Sequence, residues 1–212
     1  QYGGLHPDRA VAQQVKAIGQ RIVQQSAAHK SPYQYDFHLL ADPNTINAFA
    51  LPGGQIFITA GLLKALKSEA ELAGVLGHEI GHVVGRHSAE QVAKSRLTQG
   101  LTGAAAVAAY DPERPSTAAA AAGAAMVAKL MTLRFGRDDE LEADRMAVRF
   151  TADAGYDPRA MIEVMRTLEQ AGGSGRGPEF LQTHPNPGNR IGEIERAIQA
   201  EFPQGIPSGL VQ

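Results

Sequence analysis

No cysteine occurs in this 212-residue chain. Disulfides and the thiolate cages of structural zinc sites are therefore excluded, and a metal here has to be held by histidine and carboxylate, which points a zinc ion towards catalysis. No stretch approaches the roughly twenty uninterrupted apolar residues that a spanning helix requires. The longest apolar run, residues 117–127, is alanine-rich and closed by Lys129, so the sequence in view reads as soluble. Neither sign of charge dominates: the formal net charge is −2 with no basic block, which leaves no electrostatic footprint for nucleic acid. With 43% hydrophobic and 20% charged residues the composition is that of a globular protein. The length suits one domain over residues 1–212, with its core in about 5–200 and a loose tail over 201–212. No internal repeat is visible. The first residue is Gln1 rather than methionine, consistent with an upstream segment that was processed or trimmed, so the compartment stays open.

What the chain does contain is His78-Glu79-Ile80-Gly81-His82, an H-E-x-x-H run that arises by chance in roughly one chain in seventy of this size and composition. At about 100° per residue, positions i and i+4 of a helix differ by ~40°, so both imidazoles leave one face and can grip one ion. Glu79 projects from the neighbouring part of that face, where a carboxylate takes a proton from water without binding the metal. Leu72, Val75, Leu76, Ile80, Val83 and Val84 make the helix apolar around most of its circumference. Histidines in so buried an element need partners, and a metal supplies one.

Periodicity places a first amphipathic helix over 8–28, with Val11, Val15, Ile18 and Ile22 inward, ended by Ser31-Pro32. Short strands follow at 36–41, 47–50 and 55–59, the last two joined by Leu51-Pro52-Gly53-Gly54. A short helix fits 61–67, and Ser68 with Glu71 forms an S-x-x-E capping box for a motif helix starting near Glu69. Continued along that helix, His87 falls about 140° from His82 and 180° from His78, a poor position for a third ligand. His6, His29 and His38 carry no ligand spacing. Residues 100–131, dominated by alanine and glycine, read as two weakly packed helices around a loop, with a lid as the functional alternative. Helices are then expected over 138–154, from Asp157-Pro158 to about 170 with Met161, Ile162, Met165 and Leu168 inward, and over 188–200. A glycine-rich loop at 171–178 leads to Thr183-His184-Pro185, and the tail after Pro203 reads as loose. The whole pattern is α+β: mostly helical, with a small sheet beside the H-E-x-x-H helix.

A catalytic zinc needs three protein ligands and one open position. Glu140 and Asp144 lie four apart on the downstream helix, so one can bind metal while the other backs a ligand histidine and fixes its tautomer; Glu142 points to a different face. Spacing alone weighs this evenly against a solvated, acidic first turn, which the helix dipole favours anyway.

Four blocks in order, Asn47-Ala48-Phe49-Ala50-Leu51-Pro52-Gly53-Gly54, Gly61-Leu62-Leu63, His78 to His82, and Glu140-Leu141-Glu142-Ala143-Asp144, followed by Thr183-His184-Pro185 and Arg190-Ile191, resemble the HtpX-like and CAAX-prenyl-protease-like zinc metallopeptidases of the gluzincin type. The resemblance implies a minimal gluzincin-like fold, one zinc ion per chain held by His78, His82 and Glu140, Glu79 as general base, and Asp144 behind a ligand histidine. It also implies a polypeptide substrate paired to the backbone of Asn47, Ala48 and Phe49, although these residues read equally well as an ordinary strand entering a turn. His184 is expected to face the substrate oxyanion or to fill the open metal position at rest; between Thr183 and Pro185 it is otherwise a turn residue. The long hydrophobic helices of the family's integral-membrane members are missing, so the chain resembles the soluble, often periplasmic or secreted, bacterial branch, with membrane association left to a missing N-terminal segment. The expected activity is endopeptidase action on unfolded or misassembled envelope proteins. A zinc-binding envelope chaperone that seldom cleaves and a metal-free helical interaction module are the rival readings.

Overall fold

The computed structural model describes residues 2–102, 134–172, 177–185 and 188–212, with side chains described outside 95–102. Most of the 100–131 region, expected to be two helices or a lid, therefore lies outside the described residues. Helix α1 (Arg9–Gln25) starts where the Asp8 carboxylate accepts the amides of Ala10 and Val11, and it buries Val15, Ile18 and Ile22 as its period requires. It stops short of the expected end because Ser26 caps a separate 3-10 turn, Ala27–Lys30.

Strands β1 (Asp36–Leu40), β2 (Ala48–Leu51) and β3 (Gln55–Thr59) form a mixed sheet in the order β1-β3-β2. Strand β3 runs parallel to β1 and antiparallel to β2, with Phe49 opposite Phe57 and Ala50 opposite Ile56. Thr59 then caps α2 (Ala60–Ala65) through its hydroxyl.

Helix α3 (Glu69–Val84) is the spine of the fold, buried at every residue from Ala70 to Val83. Ser68 caps it by accepting the Glu71 amide at 3.2 Å, but Glu71 reaches back to the amide of Lys67 rather than of Ser68, so only half of the expected box closes. The helix ends at Gly85, and Arg86, at φ 59°, turns the chain into α4 (His87–Thr102). His87 is consequently not on the motif helix, and the angles that assumed one continuous helix do not apply.

The α3 surface is covered by α5 (Arg137–Asp153) and α6 (Ala160–Gly172), while α1 and β2 pack on it from other sides. The inward face of α5 carries Glu140, Ala143, Asp144, Ala147, Val148 and Thr151. Two acids thus share the buried surface of α5 with Val148 and Phe150, and small residues bring α5 close. A five-residue helix α7 (Glu179–Thr183), which has too few residues to show a period, precedes α8 (Arg190–Glu201). The tail expected to be loose is tied at its end, where the Val211 carbonyl accepts the Asp157 amide and the Val211 amide donates to Gly155, both at 2.9 Å.

Candidate metal centre

The α3 helix places His78 and His82 one turn apart, with Glu79 beside them, in its buried stretch, and α5 brings Glu140 and Asp144 to the same point. The approach is set by Gly81, where a β-carbon would stand 2.9 Å from the Ala143 carbonyl oxygen. His184 arrives from a third direction, as the residue that ends α7. The Phe180 amide donates to the Ile46 carbonyl and the Phe135 amide to Thr183, which ties the His184 segment to the approach of β2 and to the entry of α5.

His78, His82, Glu140 and His184 each offer one donor atom, all within 4.8 Å of one another and all buried. His78 Nε2 stands 3.0 Å from His82 Nε2, 3.3 Å from His184 Nδ1 and 3.6 Å from Glu140 Oε2. Glu140 Oε1 stands 3.3 Å from His82 Nε2 and 3.0 Å from His184 Nδ1. Four donors at ~2.1 Å around a tetrahedral ion lie roughly 3.4 Å apart, so the spacing fits. Charge agrees with geometry. His78 commits its Nδ1 proton to Asp144 Oδ1 at 2.8 Å, which leaves its Nε2 lone pair, 3.3 Å from Arg190 NH2, also facing the Glu140 carboxylate at 3.6 Å, an acceptor turned towards an acceptor in the interior. A cation between them resolves that opposition.

Behind the donors lies Arg190, only 2% exposed and without a role in the sequence reading. Its Nε and NH2 donate to the two Asp144 oxygens at 2.7 and 2.8 Å, and its NH1 meets Glu140 Oε2 at 2.7 Å, an ion-pair distance without hydrogen-bond alignment. Burial alone raises the pKa of Asp144, but the Arg190 guanidinium outweighs it and holds the carboxyl down at about 2. Glu140 is likewise pushed up by burial and brought well below the carboxylate range by His184 and Arg190. Burial lowers His82, which keeps it a neutral donor. For His184 the burial effect is overcome by Glu140 and Glu79, and its pKa rises. Aromatic rings fix the imidazole planes: Phe180 stacks on His184 with centroids 4.3 Å apart, and Phe135 on His82 at 4.0 Å.

Glu79 stands apart from the donor set. Neither of its oxygens has a hydrogen bond among the described residues, and the nearest basic atom is His184 Nε2 at 3.5 Å. Burial raises its pKa, with His184 and His78 opposing, which makes it a better proton acceptor than an exposed glutamate.

Asn47, Ala48 and Phe49 sit on and just before β2, all buried. The Asn47 amide nitrogen donates to Glu179 Oε1 at 3.0 Å and to the Tyr2 hydroxyl at 3.2 Å, and Tyr2 in turn donates to Glu179. This side chain therefore braces the head of α7. The Thr59 amide donates to the Asn47 carbonyl, so antiparallel alternation turns the peptide groups of Ala48 and Ala50 to the outer edge of β2, where Ser88 Oγ donates to the Ala50 carbonyl at 3.2 Å. A cleft of about 60 Å³ at the end of this edge is lined by Leu51, His82, Arg86 and Ser88.

Two imidazoles on one buried helix, closed by a glutamate from a second and flanked by a carboxylate with no hydrogen bond among the described residues, form a group that can hold a metal ion beside a proton acceptor. The family model described as Peptidase family M48 matches residues 9–198, and the chain belongs to that family, in keeping with the resemblance read from its motifs. It is 30% identical over 207 residues to the beta-barrel assembly-enhancing protease of Escherichia coli (strain K12), covering 95% of this chain and 42% of the relative. It is 38% identical over 148 residues to the mitochondrial metalloendopeptidase OMA1 of Arabidopsis thaliana, 70% of this chain and 28% of the relative. To the OMA1 of Schizosaccharomyces pombe (strain 972 / ATCC 24843) it is 34% identical over 182 residues, 85% and 51%. The chain thus spans about half or less of the length of these curated relatives.

Proposed function

We propose that this chain is a zinc-dependent endopeptidase in which His78, His82 and Glu140 hold one ion and His184 supplies a fourth donor that closes the site at rest. The observation that carries this reading is the buried donor set itself, three donors fixed on two helices and a fourth on a short separate one. Zinc in such a site supplies Lewis acidity, lowering the pKa of water towards ~7 and polarising a carbonyl. Glu79 accepts the proton of the attacking water and passes it to the leaving amine. Asp144 orients His78, and Arg190 keeps both carboxylates ionised. The substrate peptide pairs with the outward peptide groups of Ala48 and Ala50 and runs past His82 along the cleft at the end of β2. With His184 displaced from the donor set, its imidazole is free to face the developing oxyanion.

The substrates proposed are unfolded or misassembled envelope proteins in a periplasmic or secreted setting, within one domain spanning the chain. The name of the bacterial relatives, beta-barrel assembly-enhancing protease, supports this setting, while the other relatives are mitochondrial by name. No helix of the described residues is long and apolar enough to cross a membrane. A zinc-binding assembly factor with little proteolysis is the second reading, favoured by the enclosure of the donors by His184. Incubating the purified chain with a denatured β-barrel protein separates the two. Cleavage that stops on chelation and returns with zinc is the expected result, and metal binding without any cleavage favours the assembly factor.

A further inference from the structure

We propose that His87 is a positioning residue for metal binding: it accepts the Nδ1 proton of His82 and so aims the His82 Nε2 lone pair at the donor cluster. The proposal rests on the metal-site reading above. His82 Nδ1 and His87 Nδ1 lie 2.9 Å apart in the interior, so one donates and the other accepts. Two contacts settle which. On one side, His82 Nε2 faces Glu140 Oε1 at 3.3 Å and His78 Nε2 at 3.0 Å, as a donor to an ion must, so the His82 proton belongs on Nδ1. On the other, Glu142 Oε2 stands 3.5 Å from His87 Nε2, an ion-pair distance without hydrogen-bond alignment, and its negative charge favours the proton there, which leaves the His87 Nδ1 lone pair to accept. The pair completes a symmetry in the site: Asp144 backs His78 as His87 backs His82. An imidazole in the second place adds no further negative charge to an interior that already holds Glu79, Glu140 and Asp144.

The turn that seats His87 is built for this contact. Arg86 at φ 59° reverses the chain, and the His87 ring then lies directly over Gly85, where a β-carbon would stand 2.5 Å from Nε2 and 2.7 Å from Cε1. Gly85 itself has φ −69°, which any residue adopts, so its side chain is excluded by the ring alone. Alanine at this position leaves the backbone unstrained and displaces the imidazole, reaching His87 without altering it.

The test uses the purified chain and zinc alone, with affinity read by competition against a chromophoric chelator. His87→Leu and Gly85→Ala are each expected to weaken zinc binding by ~10 to 100-fold, the usual effect of losing a partner behind a ligand. His87→Asn should recover most of the loss, because asparagine Oδ1 occupies the place of imidazole Nδ1 and accepts the same proton. In the zinc-loaded protein, long-range ¹H–¹⁵N correlation should find the His82 Nδ1 proton at the low-field position of a hydrogen bond to His87 in wild type and shifted upfield in His87→Leu. A purely structural His87 predicts lower unfolding temperatures for both His87 variants, no rescue by asparagine and an unmoved His82 Nδ1 proton signal; that pattern overturns the proposal, as does wild-type affinity in His87→Leu. Wild-type protein that binds no zinc removes the metal-site reading itself, a failure distinguishable from the others.

Discussion

Replacing Arg190 by methionine keeps most of the volume of the side-chain stem and removes the only cation that touches both Glu140 and Asp144 among the described residues. The structure sets the size of the effect. Three nitrogens of a guanidinium 2% exposed lie 2.7 to 2.8 Å from carboxylate oxygens. Removing one member of such a buried pair leaves uncompensated charge and costs about 3–5 kcal/mol. For a chain of this length that corresponds to a fall in melting temperature of about 6–20 °C. Part of the loss has a sign that can be read with pH. In wild type the Asp144 carboxyl is held at about 2 against an ordinary 3.8. It therefore contributes about 2 kcal/mol, fully present above pH ~4 and lost as the pH falls through ~2. Without Arg190, burial dominates and raises the folded-state pKa above the unfolded one. The Asp144 contribution is then largest below pH ~4 and is lost as the pH rises through the raised value. The assay is urea unfolding of both proteins in chelator between pH 4 and 7. The stability gap should be widest at pH 7 and narrow steadily on acidification. A gap that stays constant across this range would show that the loss is one of packing, and the electrostatic account would fail.

Glu79→Gln should keep one zinc per chain and the wild-type melting temperature while abolishing peptide cleavage; loss of zinc by this variant would make Glu79 a ligand instead. Glu140→Ala should strip most of the zinc measured by atomic absorption after dialysis, whereas Glu142→Ala, whose side chain is 61% exposed, should retain nearly all of it; equal losses contradict the assignment. His184→Ala should raise the rate of peptide hydrolysis with zinc content retained, since a fourth donor that closes the site has gone. A lower rate with zinc retained would assign His184 to the transition state, and an unchanged rate would leave it a turn residue.

The parts of this protein that were legible from sequence are those in which a local pattern carries the information. The period of α1, the Ser68 cap and the four-residue spacings of His78 with His82 and of Glu140 with Asp144 each lie within one helix, and the structure places them where those periods direct. For Glu140 and Asp144 spacing alone weighs evenly between a ligand pair and an acidic helix start; the motif blocks distinguish them. The parts that were missed depend on a break or on distance. His87 was set aside by extending one helix through Gly85, but a glycine followed by a left-handed arginine ends that helix and folds the next residue back onto it. Arg190 belongs to the last of the motif blocks but has no spacing relation to the ligands, and its Asp144 partner lies 46 residues away, so its role emerges only from the packing of α8 on α5. Likewise, Asn47 shows no sequence link to Glu179, 132 residues on, although the two are hydrogen-bonded.

The backbone contact of α3 with α5 at Gly81 and Ala143 also decides which part of the site is free to move. His78, His82 and Glu140 travel together, because separating them means prising apart two helices that touch without side chains between them. His184 is carried instead by a five-residue helix held at its ends, among the described residues, by single hydrogen bonds and a brace of polar side chains. Any change in the number of donors is therefore confined to one residue, at little cost to the rest of the interior. Tolerance to substitution should follow the same division, with bulk refused along the seam of the two helices and variation accepted around the short one. A molecule arranged in this way can alter when it acts without altering the chemistry it performs.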